Sequence, residues 1–154
     1  MSIQQGDKHF TATVWIVTND SPKKVLLLHH KKYNFWLPPG GHIERHENPA
    51  QAAIREVKEE TGLVIDIPAR PISNVTETGT ELPLPYSMRE FLIPERGDEP
   101  EHYHLDVIYR VEVPEQSLTI NDESHNIDWF TREEAEALSL FESTRLALAE
   151  VLKD

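Results

Sequence analysis

The chain has 154 residues, 38% hydrophobic and 27% charged, a balance that suits one compact domain with a hydrophobic core and excludes a disordered chain. Fifteen basic residues against 27 acidic ones leave a formal net charge of −12. That is the wrong sign for gripping a DNA or RNA backbone, although divalent cations can reverse it locally for a small anionic ligand. With no cysteine there are no disulfides and no thiolate metal sites. The longest apolar runs, such as Val25–Leu28, are too short to span a bilayer, and Met1–Gln5 lacks the features of a secretory signal, so a cytoplasmic protein is expected.

Phe10–Thr18 is β-branched and aromatic, and apolar on both alternations, as a central strand should be. Val25–His30 follows as its neighbour through the turn Asn19–Pro22. A helix is predicted over Pro49–Thr61, with Asn48 as N-cap, Pro49 in the first position, Gln51 as capping-box partner and Gly62 ending it. Leu63–Ile67 resumes a strand pattern. Ile72–Pro85 reads as a loop, Met88–Ile93 as a strand and Pro94–Pro100 as a charged connection. From Tyr103 to Val113 the alternation is clean, with Tyr103, Leu105, Val107, Tyr109, Val111 and Val113 on one face. The other face carries His102, His104, Asp106, Ile108, Arg110 and Glu112 and should meet solvent or a cleft. A strand at Asn126–Phe130 leads to Thr131, which caps a helix to about Leu138, and Glu142–Lys153 forms another helix. No repeat or linker divides this order, which predicts an α/β layered sandwich.

The informative segment is Gly41–Leu63, GHIERHENPAQAAIREVKEETGL. On a helical wheel Glu60 falls about +40° and Glu59 about −60° from Glu56, so three carboxylates share an arc of roughly 100°. Ala50, Ala53, Ile54 and Val57 form the packing face. Like charges three and four residues apart repel, and acids in a last helical turn oppose the macrodipole. A hard divalent cation bound by carboxylate oxygens would relieve both conflicts. Geometry alone leaves a plain solvated acidic face as the alternative.

Gly41, Glu47, Arg55, Glu56, Val57, Glu59, Glu60, Gly62 and Leu63 fill every specified position of the Nudix box. Seven of these are fixed residue types, so a chance match is below about one in a hundred million per starting point. The segment is therefore identified as resembling the Nudix (MutT-like) hydrolases. The resemblance implies an α/β/α sandwich with a mixed β-sheet flanked by helices, here a single domain over residues 1–154 with the box at 41–63. It implies metal-dependent hydrolysis of a phosphate–phosphate bond. Glu56 and Glu60 would ligate Mg²⁺ or Mn²⁺, with Glu59 a ligand or the group that orients the attacking water. Glu47 would be a further ligand, direct or through water, and the Gly40 carbonyl another. Arg55 would steer the carboxylates as an ion-pair partner, the alternative being an ordinary surface arginine. Glu123, in a loop six residues before Trp129, is a candidate to complete the metal site or act as base, against a plain loop acid.

His102 and His104 share the polar strand face with Asp106 and are candidates for contact with substrate; a metal role is the lesser alternative. Tyr33, Phe35, Trp36 and Tyr86 could stack on a base, with ordinary packing as the default. The box does not report the leaving groups. By resemblance, specificity should lie in Ile72–Pro85 and Pro94–Pro100. Neither a proline about fifteen residues past the box nor a nearby tyrosine marks a known branch. A nucleoside triphosphate, oxidised ones included, is the favoured small-molecule substrate, and a nucleotide sugar is second. The rival reading is a non-catalytic nucleotide-sensing Nudix module, against which the intact box glutamates argue. The length of the Tyr103–Val113 strand makes a homodimer a further expectation.

Overall fold

The computed structural model describes residues 2–71 and 75–154. In chain order it contains β1 (Lys8–Thr18), β2 (Lys24–His30), β3 (Trp36–Leu37), β4 (Gly40–His42), α1 (Pro49–Thr61), β5 (Ser87–Ile93), β6 (His102–Val113), β7 (Ser124–Thr131), α2 (Arg132–Glu136) and α3 (Glu142–Val151). The strands form one seven-stranded sheet in the order β3-β2-β1-β6-β5, with β4 paired to β1 and β7 to β2. β1 and β6 run parallel and the other pairs are antiparallel.

The double alternation of β1 explains its central place. Ala12, Val14 and Ile16 pack towards α1 with Val107, Tyr109 and Trp129. Trp15 and Val17 point the other way and pack with Ala135 of α2, Leu148 and Val151 of α3. Helices therefore cover both faces of a mixed sheet, the α/β/α layering expected. β6 obeys the same rule: its apolar face lies on the α1 core, and its polar face turns towards the α3 side.

Helix α1 begins and ends as its sequence dictates. The Asn48 side chain accepts from the Gln51 N–H at 2.9 Å while the Gln51 side chain accepts from the Asn48 N–H at 2.9 Å. Gly62 takes φ 76°, a left-handed conformation that favours glycine, and its N–H reaches the Lys58 carbonyl at 3.0 Å. Its buried arc is wider than the wheel predicted: Ala52 and Glu60 join Ala50, Ala53 and Val57. Glu56 and Glu60 thus face β4, while Glu59 stays towards solvent.

One expectation is corrected. Leu63–Ile67 forms no strand. Leu63 and Ile65 are buried and Ile67 packs on the core, so the alternation is real, but it records one-sided burial rather than ladder pairing. The Tyr103–Val113 strand pairs with β1 along its whole length and with β5 only as far as Ile108, so on the β5 side Tyr109–Val113 carries no strand partner among the described residues. Trp36–His42, left unassigned by the sequence, carries the two short strands β3 and β4. Within the expected Ile72–Pro85 loop, residues 72–74 lie outside the described residues, and 75–85 contain no helix or strand. No helix among the described residues is long and apolar enough to cross a membrane.

Candidate active site

β4 is the hinge of the site. Gly40 and Gly41 lie opposite Thr13 and Ala12 of β1, and they leave room for α1 to come close. A Cβ on Gly41 would lie 2.5 Å from Cδ of Glu56, and one on Gly40 would meet the Ala12 carbonyl oxygen at 2.5 Å and Thr13 Cα at 2.9 Å. The two glycines are thus needed for close approach, one to a side chain and one to backbone.

Into this notch α1 projects its acids. Glu60 is 2% exposed, and its carboxylate accepts from the Gly40 N–H at 2.9 Å. Burial, helped by the charges of Glu56, Glu123 and Glu59 and opposed by the Gly40 N–H, pushes its pKa up to about 8. Burial also raises Glu56, outweighing the Arg55 guanidinium beside it. Arg55 organises the rest. Its Nε and Nη2 hold both oxygens of Glu47 at 2.8 Å, its Nη1 reaches Glu56 at 2.8 Å and Glu59 at 3.4 Å, and Nη2 donates to the His42 carbonyl at 3.0 Å. Arg55 holds Glu47 below the usual carboxylate range. Glu59 remains 55% exposed.

As they stand, no three His, Asp or Glu side chains among the described residues are placed to hold a metal ion, and Arg55 occupies both oxygens of Glu47. The donor set nevertheless suits a hard divalent cation. It is all oxygen, and the buried Glu60 carboxylate has a single N–H where a charge needs a countercharge.

Glu56 and Glu59 open onto a cleft of ≈ 1190 Å³ that extends to the α3 side of the sheet. Glu123 lines it, as do Glu56, Glu59 and Arg55, so the loop before β7 brings Glu123 to the box acids. Of the four aromatics, Tyr33 and Tyr86 line the cleft. Trp36 instead stacks on His29 with ring centres 5.1 Å apart, and Phe35 packs on Phe141 at 4.4 Å. His104 also faces the cleft, whereas His102 is fully buried and its Nδ1 donates to the Pro100 carbonyl at 2.8 Å. His9, His42, His104 and His102 form a ring of neighbours with centres 5.0–5.6 Å apart. Burial first, and then these neighbours, push His104 down to about 4, so it is neutral at physiological pH.

Sequence reasoning missed Thr11, Thr13 and Arg89, which line the same floor. The alternation Thr11, Thr13, Trp15 was a signal, but its meaning depends on the parallel register that sets Thr11 beside Asp106 and Thr13 beside Ile108. No local pattern encodes that register.

A family model described as NUDIX domain matches residues 8–152. A solved hydrolase of the NUDIX family from Clostridium perfringens is 34% identical, covers 94% of this chain and 95% of that one, and superposes with a TM-score of 0.73. The E. coli dihydroneopterin triphosphate pyrophosphohydrolase, at 23% identity, shares the fold with a TM-score of 0.65 over 97% of this chain and 98% of that one. A probable DHNTP pyrophosphohydrolase of Lactococcus lactis subsp. cremoris is 27% identical over 114 residues, which are 74% of this chain and 60% of that protein. The chain spans less than two thirds of the length of the curated relatives that it matches. Matched from its first strand to its last helix, and sharing about a third of its residues with a solved member, the chain belongs to the NUDIX domain family.

Proposed function

We propose that the protein hydrolyses a phosphate–phosphate bond in a small nucleotide-like substrate, with a nucleoside triphosphate, oxidised ones included, favoured over a nucleotide sugar. The observation that carries this is the Glu60 carboxylate, buried against Gly40 of β4 near the charge of Glu56, with no countercharge of its own among the described residues. Nudix hydrolases generally use divalent cations. Here Glu56, Glu59 and Glu60, with the Gly40 carbonyl, would hold Mg²⁺ or Mn²⁺, which neutralises phosphate charge and lowers the pKa of bound water.

The chain's own residues do the positioning. Arg55 ties Glu56 to Glu47 and to the turn before α1, which fixes the carboxylates relative to Gly40 and Gly41. Glu59, exposed and held only by one long contact, is free to orient a water or accept its proton, and Glu123 faces the same space from the opposite loop. The names of the Lactococcus and E. coli relatives support the triphosphate reading, since both refer to a triphosphate-carrying heterocycle.

The test is a panel of nucleoside triphosphates, oxidised triphosphates, dihydroneopterin triphosphate and nucleotide sugars, with Mg²⁺ or Mn²⁺ against an EDTA control. Cleavage should need the cation, and Glu60→Gln should lose more than the roughly 100-fold typical of outer-shell partners. Nucleotide binding without turnover would point to the sensor module instead; a fully active Glu60→Gln would overturn the site.

A further inference from the structure

On the cleft floor, Asp106 of β6 is 6% exposed. Its Oδ1 accepts from Thr11 Oγ1 at 2.9 Å and from Thr13 Oγ1 at 3.0 Å, which engages both lone pairs of that oxygen. Among the described residues no donor reaches Oδ2. Arg89 is the cross-strand partner of Asp106 on β5, yet it is exposed and forms no ion pair with it. Oδ2 is not shut away from solvent, so it is an acceptor left open to the cleft, where water or a ligand can donate to it.

We propose that Asp106 reads the base of the substrate and selects a heterocycle whose edge offers two adjacent N–H donors, the 2-amino-4-oxopyrimidine edge that guanine and pterins share. The inference rests on the nucleotide-cleft reading above. An ionised carboxyl only accepts, and the two lone pairs of the open Oδ2 can take an imino N–H together with the amino N–H beside it. Adenine and cytosine set a ring-nitrogen lone pair beside their amino group, and uracil flanks its imino group with carbonyls. Against those edges the open oxygen would gain one N–H at most, with a repelling lone pair beside it.

Position supports the role. Thr13, which donates to Asp106, pairs with Gly40, whose N–H holds Glu60. Asp106 therefore lies two strand spacings, about 10 Å, from the acid cluster, which leaves room for a sugar and phosphate between base and cation. Trp15, Tyr86 and Phe91 line the same cleft and offer apolar surface to a planar ring. The competing role is a tie between β1 and β6, with Asp106 serving only its two threonines.

Asp106→Asn separates the two. The asparagine carbonyl still accepts from Thr11 and Thr13, so a tie survives, while an NH₂ donor replaces the open acceptor. The wild type should bind GMP more tightly than AMP, CMP or UMP, measured by calorimetry or NMR on metal-free protein. It should also cleave GTP with kcat/KM roughly 10–100-fold above ATP, the discrimination of a good paired edge contact. Asp106→Asn should lose that preference and favour the xanthine nucleotides, whose 2-oxo group accepts. A wild type that binds the four monophosphates alike, or a folded Asp106→Asn with an unchanged base ranking, would overturn the proposal. If no triphosphate is cleaved by either protein, the hydrolase reading fails, and the binding ranks alone still decide the base reading.

Discussion

Replacing Arg55 by Met keeps the aliphatic stem and removes every donor of the guanidinium that ties Glu47, Glu56 and the His42 carbonyl together. Removing one member of a fully buried ion pair costs about 3–5 kcal/mol, whereas an exposed pair is worth about 0.2–1 kcal/mol. Arg55 lies between these limits. Its side chain is 25% exposed and that of Glu47 is 6% exposed, and Glu47 sits in the turn before α1, where water can return once the guanidinium is gone. A loss of about 2 kcal/mol follows, which for a chain of this size lowers Tm by roughly 4–8 °C. The assay is thermal unfolding in EDTA for Arg55→Met, Glu47→Gln and the double variant. The double variant should fall little further than either single one, because the two residues act as a unit. Arg55→Lys should not restore the loss, since lysine lacks the planar fork. The sign with pH is fixed by Glu47: the Arg55 guanidinium holds its folded pKa below the ordinary 4.5. The pair's contribution is therefore present above about pH 4.5 and is lost as pH falls through the folded value. The gap between wild type and variant should close in acid. Strict additivity, or a Tm within about 1 °C of wild type, would refute the positioning role of Arg55.

Glu60 carries the opposite sign. Its folded pKa of about 8 lies above 4.5, so its favourable contribution is complete below pH 4.5 and is lost as pH rises through 8. The Tm of metal-free protein should fall across that window, Glu60→Gln should flatten the fall, and added Mg²⁺ should reverse it; a flat wild-type profile would count against the buried carboxylate. The two glycines of β4 should separate function from folding. Gly41→Ala obstructs only the movable end of Glu56, so the protein should fold with Tm nearly unchanged and lose at least about tenfold in activity. Gly40→Ala drives a methyl group into the β1 backbone, so it should unfold the protein or lower Tm steeply.

The sequence reveals elements more readily than their neighbours. The capping box at Asn48 and Gln51 and the left-handed Gly62 are local chemistry, and α1 begins and ends where they place it. The apolar alternation of Leu63, Ile65 and Ile67 is equally local, yet no strand forms there, because burial of one side of the segment produces the same alternation without any ladder partner. The box acids were readable for the same reason as the caps: their spacing sets them on one side of one helix. Asp106, Thr11 and Thr13 were not readable as a group, since they come together only through a parallel pairing across more than ninety residues of chain.

The acid cluster was the part of the site that sequence physics could find, because it breaks several local rules at once. Glu59 and Glu60 stand in the last turn of α1, where the helix dipole favours a cation, and Glu56 adds a like charge one turn back. The structure adds burial to that conflict, for Glu60 faces β4 rather than water, in a chain already carrying a net charge of −12. Arg55 relieves Glu47 and part of Glu56, but it makes no contact with Glu60 among the described residues. An arginine could have been placed to relieve Glu60 as well, and the sequence does not do so. A carboxylate that evolution has buried, crowded with like charge and left without a protein cation is best explained by a cation that comes from solution. The Tm of metal-free protein between pH 4.5 and 8, with and without Mg²⁺, measures that argument directly.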